Sequence, residues 1–430
     1  MQKVVLSELA SGERVISERM PSVRSVAIGF WIGVGSRDET PTKAGITHFI
    51  EHLLFKGTRS YEAREIAEIF DELGGELNAA TSREHTVVYG RVPYDQLERA
   101  IDVMTDMVFV PTFADIDAER EVVLEEIAML EDAPQDQVHD LVSDAVFGDH
   151  PLGRRVLGRS EVISSVSRRT IASFHESMYR PGNVVAAAAG NLSHERLVSL
   201  VSKAASARER STGRPYVRKP LSKTPAAVIR FQRKDTEQYH VCVAAPGISR
   251  SDRRRFAASL LDSILGGSAS SRLFQEIREK RGMAYSVYSF VAQYSDTGMI
   301  GVSLGTREDN LSSCLEIVAE QIAEIAAGKF RKGELERAKE HARGRIMLSM
   351  ESTATRMTRL GRSVITDTEL LSPERIIAEL EAVEPDAVSE LASMLLAPEC
   401  FSVAGIGPDE DRFYTAVDAI NPGLARRSAA

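Results

Sequence analysis

Cysteine is scarce in this 430-residue chain: Cys242, Cys314 and Cys400 are its only three, odd in number and far apart. A disulfide framework is therefore not expected, and a reducing compartment is the default. No run approaches the roughly 20 apolar residues of a membrane-spanning helix, so no membrane partner is expected. Basic residues are not in excess either. The formal net charge is −9, which argues against a general nucleic-acid binder, whose footprint is a basic patch. The opening stretch MQKVVLSELASGERVISERM lacks the apolar core of a signal peptide. It reads as a β-hairpin, VVLSEL and RVISE around a turn at ASGE. These absences together give the expectation of a cytoplasmic protein.

What is present describes an ordinary globular chain, 43 % hydrophobic and 27 % charged. Its length is too great for one core, so two domains are expected. The sharpest shift in composition is SARERSTGRPYVRKPLSKTP, residues 206–225, with three prolines and many basic and hydroxyl residues. It reads as a solvated linker. It divides the chain into 1–205 and 226–430, and the two parts run in parallel. SVAIGFWIGVGS, AGITHFIEHLLFKG and REIAEIFDELGGELNAATSREHTVVYGRV are echoed by YHVCVAAPGIS, RRRFAASLLDSILGG and SRLFQEIREKRGMAYSVYSFVAQY. Two long helical patterns then follow in each half. Runs of strands beside long amphipathic helices predict an α+β fold: two homologous domains, each a mostly antiparallel sheet with helices packed on one face.

One difference between the halves carries chemistry. The first contains HFIEHLLFKGT, residues 48–58, where the second has FAASLLDSIL. A helix over residues 44–56, stopped by Gly57, stacks His48 and His52 one turn apart. Two imidazoles so placed can share one zinc ion. Glu51 sits beside them, where a carboxylate can take a proton from an attacking water. This is the inverted histidine–glutamate–histidine set of a zinc hydrolase. A catalytic zinc takes a third protein ligand and keeps an open position. DAEREVVLEEIAML, residues 117–130, supplies the candidates. Val122, Val123, Ile127 and Leu130 define an apolar stripe at about 100° per residue. Glu119 and Glu126 fall within that stripe, whereas Glu121 and Glu125 point to solvent. A carboxylate on a buried face is costly unless paired or metal-bound, which selects Glu126 as the third ligand. Glu119 is either a supporting carboxylate or one half of an ion pair with an arginine.

HFIEHLLFKGT, GGELNAATSREHTVVYG and EREVVLEEI together resemble the signatures of the pitrilysin-type (M16) zinc metallopeptidases. The likeness covers nearly the whole chain and points to bacterial homologues of the mitochondrial processing peptidase β-subunit. It implies His48, His52 and Glu126 as zinc ligands, Glu51 as general base and Glu119 as the supporting glutamate. It further implies that the strand carrying Asn78, Ala79 and Thr81 holds an extended peptide by main-chain hydrogen bonds. Read alone, FQEIREKRGMAY is a helix ending near Gly282, with Arg278 on its surface and Tyr285 opening a strand. The resemblance makes Arg278 and Tyr285 a substrate-binding pair, suited to donate to a developing oxyanion. In two-domain relatives that pair comes from a partner subunit, which implies a homodimer. LGGSASSRLF stands where the non-catalytic processing-peptidase partner has a long glycine-rich loop, so the resemblance is to the active subunit. The expected activity is zinc-dependent cleavage of unstructured peptides or presequence-like segments. A non-catalytic, metal-binding scaffold subunit is the rival reading.

Overall fold

A computed structural model describes residues 4–206, 218, 220–221 and 225–425. The chain forms two compact units, each built on one sheet. The first sheet contains β1 (Val4–Glu8), β2 (Arg14–Arg19), β3 (Ser25–Ile32), β4 (Glu76–Thr81), β5 (Thr86–Pro93) and β6 (Val184–Gly190), in the spatial order β1-β2-β6-β3-β5-β4. The second contains β7 (Ile229–Arg233), β8 (Tyr239–Gly247), β9 (Ala284–Gln293), β10 (Gly298–Thr306) and β11 (Ser402–Gly407), in the order β7-β11-β8-β10-β9. Only β2–β6 and β7–β11 pair in parallel; the other pairings are antiparallel. The α+β class and the opening hairpin follow the expectation. Among the described residues no helix is long and apolar enough to cross a membrane.

The units do not follow the division at residues 206–225. The first comprises residues 1–128, 154–219 and 348–370, and the second 129–153, 220–347 and 371–430. The helix Pro134–Phe147 packs Val138, Val142, Val146 and Phe147 against Cys242, Ala244 and Ile406 of the second sheet. In return, Thr353–Ile365 packs Met357, Leu360 and Ile365 against Ala27, Trp31, Val185 and Ala187 of the first. Each sheet thus carries its main helices on one face and one helix from the other half of the sequence on the opposite face. An apolar stripe shows that a helix is buried, not which sheet buries it, so the sequence could not reveal the exchange. Most of residues 206–225 lie outside the described residues. Arg218 does not behave as a solvated linker residue. Its guanidinium donates to both Asp38 oxygens at 2.7 Å and to the carbonyl oxygens of Gly33 and Glu84.

The central strands β3 and β6 are apolar on both sides because both sides are covered. In β3, Val26, Ile28, Phe30 and Ile32 face the main core, while Ala27 and Trp31 face the exchanged helix. Small residues let that helix approach: a Cβ on Gly361 would lie 2.1 Å from Trp31 Nε1, and one on Gly29 would lie 2.7 Å from Met357 Sδ. Glu18, buried in β2, pairs with Arg356 and Arg359 of the same helix. Helix propensity alone makes Gly361→Ala stabilising by up to about 1 kcal/mol. Overpacking against a buried indole reverses the sign, with an expected loss of about 1–3 kcal/mol. The urea midpoint of the variant against the parent chain decides between them.

Candidate metal centre

The motif helix spans Ile46–Leu53, shorter than the sequence suggests, and a turn carries the chain on to Gly57 at φ +112°. Ile46, Phe49, Ile50 and Leu53 are fully buried in the main core of the first unit. That anchorage turns His48, Glu51 and His52 to the opposite side. The two imidazoles meet edge to face with centroids 4.6 Å apart.

Glu126 comes from the helix Ile116–Glu131. Its Oε2 lies 3.6 Å from His48 Nε2 and 3.4 Å from His52 Nε2. One ligand atom from each of the three residues falls within 4.8 Å of the others. Tetrahedral bonds of about 2.0–2.2 Å place donor atoms roughly 3.4 Å apart, so the set fits a zinc ion. The donor chemistry fits as well. Burial, and then the neighbouring His52, push His48 down to about 4, so its imidazole is neutral at pH 7. His52 Nδ1 lies 2.8 Å from Glu119 Oε1. A carboxylate can only accept there, which puts the proton on Nδ1 and leaves the Nε2 lone pair facing Glu126.

Glu119, 5 % exposed, also takes Lys56 Nζ at 2.6 Å. Glu119 is thus ion-paired, with Lys56 and not an arginine, while it also touches His52. The expected apolar stripe of this helix needs correction. Val123 and Ile127 are buried with Glu119, but Val122 is exposed and Leu130 only half-buried. The buried face runs through 119, 123 and 127 at i, i+4, i+8, and Val122 lies off it. Glu126 sits on its shoulder, its side chain 42 % exposed, facing the histidines, while Glu121 and Glu125 are exposed.

Glu51 is held by Thr81, whose Oγ1 donates to Glu51 Oε2 at 2.5 Å. Burial raises the Glu51 pKa, with Glu126 adding to the rise and Thr81 and His52 opposing it. Thr81 ends β4, which pairs with β5 on one side and forms the outer edge of the sheet. Asn78 and Ala79 lie on that same strand, and the Asn78 side-chain oxygen accepts from Ala79 N–H at 2.8 Å. In the second unit, residues Phe274–Glu279 form a π-helical stretch, and β9 opens at Ala284. Arg278 lies between the rings of Phe274 and Tyr285, 4.7 Å from each centroid, and Tyr285 is 79 % exposed. The structure thus gathers His48, His52, Glu51, Glu126, Glu119 and Thr81 at one place in the first unit, and joins Arg278 to Tyr285 in the second. Sequence reasoning missed Lys56. Its place four residues after His52, on the same face of the helix expected over residues 44–56, was the available signal.

Residues 14–160 match the family model described as Insulinase (Peptidase family M16), and residues 165–341 match that of the Peptidase M16 inactive domain. The uncharacterized zinc protease YmxG of Bacillus subtilis is 41 % identical over 93 % of this chain and 97 % of its own. An uncharacterized zinc protease of Streptomyces coelicolor is 40 % identical over 94 % of this chain and 89 % of its own. The chain belongs to peptidase family M16. Two solved structures share the fold of this M16 protein, each with a TM-score of 0.88. They are a peptidase M16 inactive domain from Pseudomonas fluorescens, 23 % identical with 95 % of this chain and 98 % of that one aligned, and a protease from Helicobacter pylori, 19 % identical with 95 % and 100 % aligned.

Outer partners of metal-bound histidines set metal affinity. Glu119→Gln in this M16 chain is therefore expected to weaken zinc binding by about 10–100-fold, measured by competition with a chromogenic chelator. Glu125→Gln should leave it unchanged. The reverse order of effects would overturn the assignment of helix faces.

Proposed function

We propose that this M16 chain is a zinc-dependent endopeptidase that cleaves unstructured peptides or presequence-like segments. The observation that carries the reading is the convergence of two imidazoles and one carboxylate beside a half-buried glutamate at the edge of a sheet. His48, His52 and Glu126 would hold the zinc ion, which would supply Lewis-acid chemistry and ease deprotonation of the attacking water near neutral pH. Glu51 is the general base. It takes the proton of the attacking water on a carboxylate oxygen and passes it to the leaving amine nitrogen. Its raised pKa suits both halves of that task, because a base poised nearer the working pH also returns the proton readily. Glu119 and Lys56 fix the His52 tautomer.

The outer edge of β4, around Asn78, Ala79 and Thr81, adds an extended substrate as a further strand. Main-chain pairing of this kind selects for extended conformation, which folded proteins do not offer. Arg278 and Tyr285 serve as donors to substrate and to the developing oxyanion. In the proposed arrangement they act in a homodimer, on the site of the partner subunit, in the cytoplasm. The rival reading, a metal-binding scaffold subunit without activity of its own, leaves Glu51 without a use.

The test is cleavage of a mixed library of unstructured peptides by the purified, zinc-loaded chain and by Glu51→Gln. We expect cleavage by the parent chain, and a kcat lowered by at least about 10²-fold in a variant that still binds zinc. Equal inactivity of both proteins, with zinc bound in both, would favour the scaffold.

A further inference from the structure

The motif helix has no cap of its own. Its N-cap residue is Gly45, at φ +95° and without a side chain. The first backbone N–H groups of any helix lack partners inside it. Two are satisfied from well upstream: Gly45 N–H donates to Glu39 Oε2 and Thr47 N–H to Glu39 Oε1, both at 2.8 Å. No other side chain caps this helix among the described residues.

Glu39 is well fixed for that task. It is 4 % exposed, and its own carbonyl oxygen accepts from Arg154 Nη1 at 2.5 Å. Burying a carboxylate is costly unless it is paired. Burial pushes the Glu39 carboxyl up to about 7, while the Gly45 and Thr47 N–H groups, with Arg154, favour the charged form. The positive end of the helix dipole also favours a carboxylate at this place. An isolated helix of eight residues has almost no stability, so its first turn depends on what is brought to it. That turn contains His48, one residue beyond the second anchored N–H.

We propose that Glu39 is a positioning residue for the metal centre, acting through the motif helix by holding its first turn in place so that His48 Nε2 stays convergent with His52 and Glu126. Glu39 touches neither ligand nor substrate. The proposal rests on the reading of His48, His52 and Glu126 as a zinc site.

The experiment compares the full-length parent chain with Glu39→Gln and Glu39→Asp. Gln keeps one acceptor oxygen but turns an NH2 donor toward the second N–H; Asp keeps the charge and both acceptors on a shorter stem. Three quantities are read: amide hydrogen exchange in the peptide covering residues 44–55, zinc affinity by chelator competition, and the urea midpoint. Glu39→Gln should exchange roughly five- to tenfold faster in that peptide, the worth of one helix cap. Its zinc affinity should fall by about 10–100-fold, as for other outer-sphere partners. Exchange in the peptide covering residues 116–131 should stay as in the parent, and Glu39→Asp should recover part of both losses. Faster exchange with unchanged zinc affinity would overturn the positioning role. Uniformly faster exchange along the whole chain would reduce Glu39 to a general stabiliser and overturn it too. If Glu39→Gln does not fold, the Asp variant carries the same comparison, with smaller changes expected in the same two quantities and none in residues 116–131. If the parent chain binds no zinc, the reading of the site fails on that result alone, while the exchange of residues 44–55 still decides whether Glu39 braces the helix.

Discussion

Carboxylates held away from water dominate the first unit, and each needs a partner to be tolerated. Glu39 takes two backbone N–H groups, Glu84 takes Arg37 at 2.8 Å, Asp38 takes Arg218, Glu119 takes Lys56 and His52, and the half-buried Glu51 takes Thr81. Most of these groups belong to residues 37–56 and 81–84, with Glu119 and Arg218 brought in from elsewhere in the chain. The loop before the motif helix also zips to the turn after β4, with Ser36 N–H on Ser82 O and Arg37 N–H on Arg83 O. The strand that ends in Thr81 and the helix that carries Glu51 are therefore registered to one another through residues 35–39. Polar networks of this kind are demanding, since a single missing partner leaves a buried charge. In return they fix positions that apolar packing alone leaves free to slide.

The duplicated halves use the same framework with different consequences. In the first unit the helix beneath the sheet edge presents Glu51 to Thr81. In the second, Asp262 accepts from Ser289 Oγ at 2.6 Å, an acidic residue and a hydroxyl in the same relation of helix to edge strand. The second helix has no histidines, and it lies within residues 165–341, which match the family model of the inactive domain. The pairing there ties the helix Arg255–Leu265 to the middle of β9.

Much of this was legible in the sequence, and the reasons are physical. The 3.6-residue period places His48 and His52 on one side of a helix whatever surrounds it, so the local half of the centre follows from spacing. Glu126 was legible because a carboxylate near a buried face requires an explanation, although the stripe used to argue it wrongly included Val122. The fold class followed from strand and helix patterns that the two halves repeat. Lys56 and Glu39 were harder to see. Glu39 reaches backbone groups six and eight residues away through a loop with no period, and a lone glutamate in DETPTKAG looks like any solvated charge. The partner chosen by each exchanged helix was not legible, because burial patterns carry no address.

The exchange of Pro134–Phe147 and Thr353–Ile365 bears on how such a chain can change over time. A duplicated gene can ordinarily be cut at its midpoint and each copy recombined or lost on its own. Here either half released alone would leave an apolar sheet face open to water, Ala27, Trp31, Val185 and Ala187 in the first sheet or Cys242, Ala244 and Ile406 in the second, with an apolar helix that has nothing to cover. The two copies are free to diverge in chemistry, one keeping histidines and the other losing them, while remaining unable to separate. Interlocking has made specialisation of the halves safe and their divorce costly.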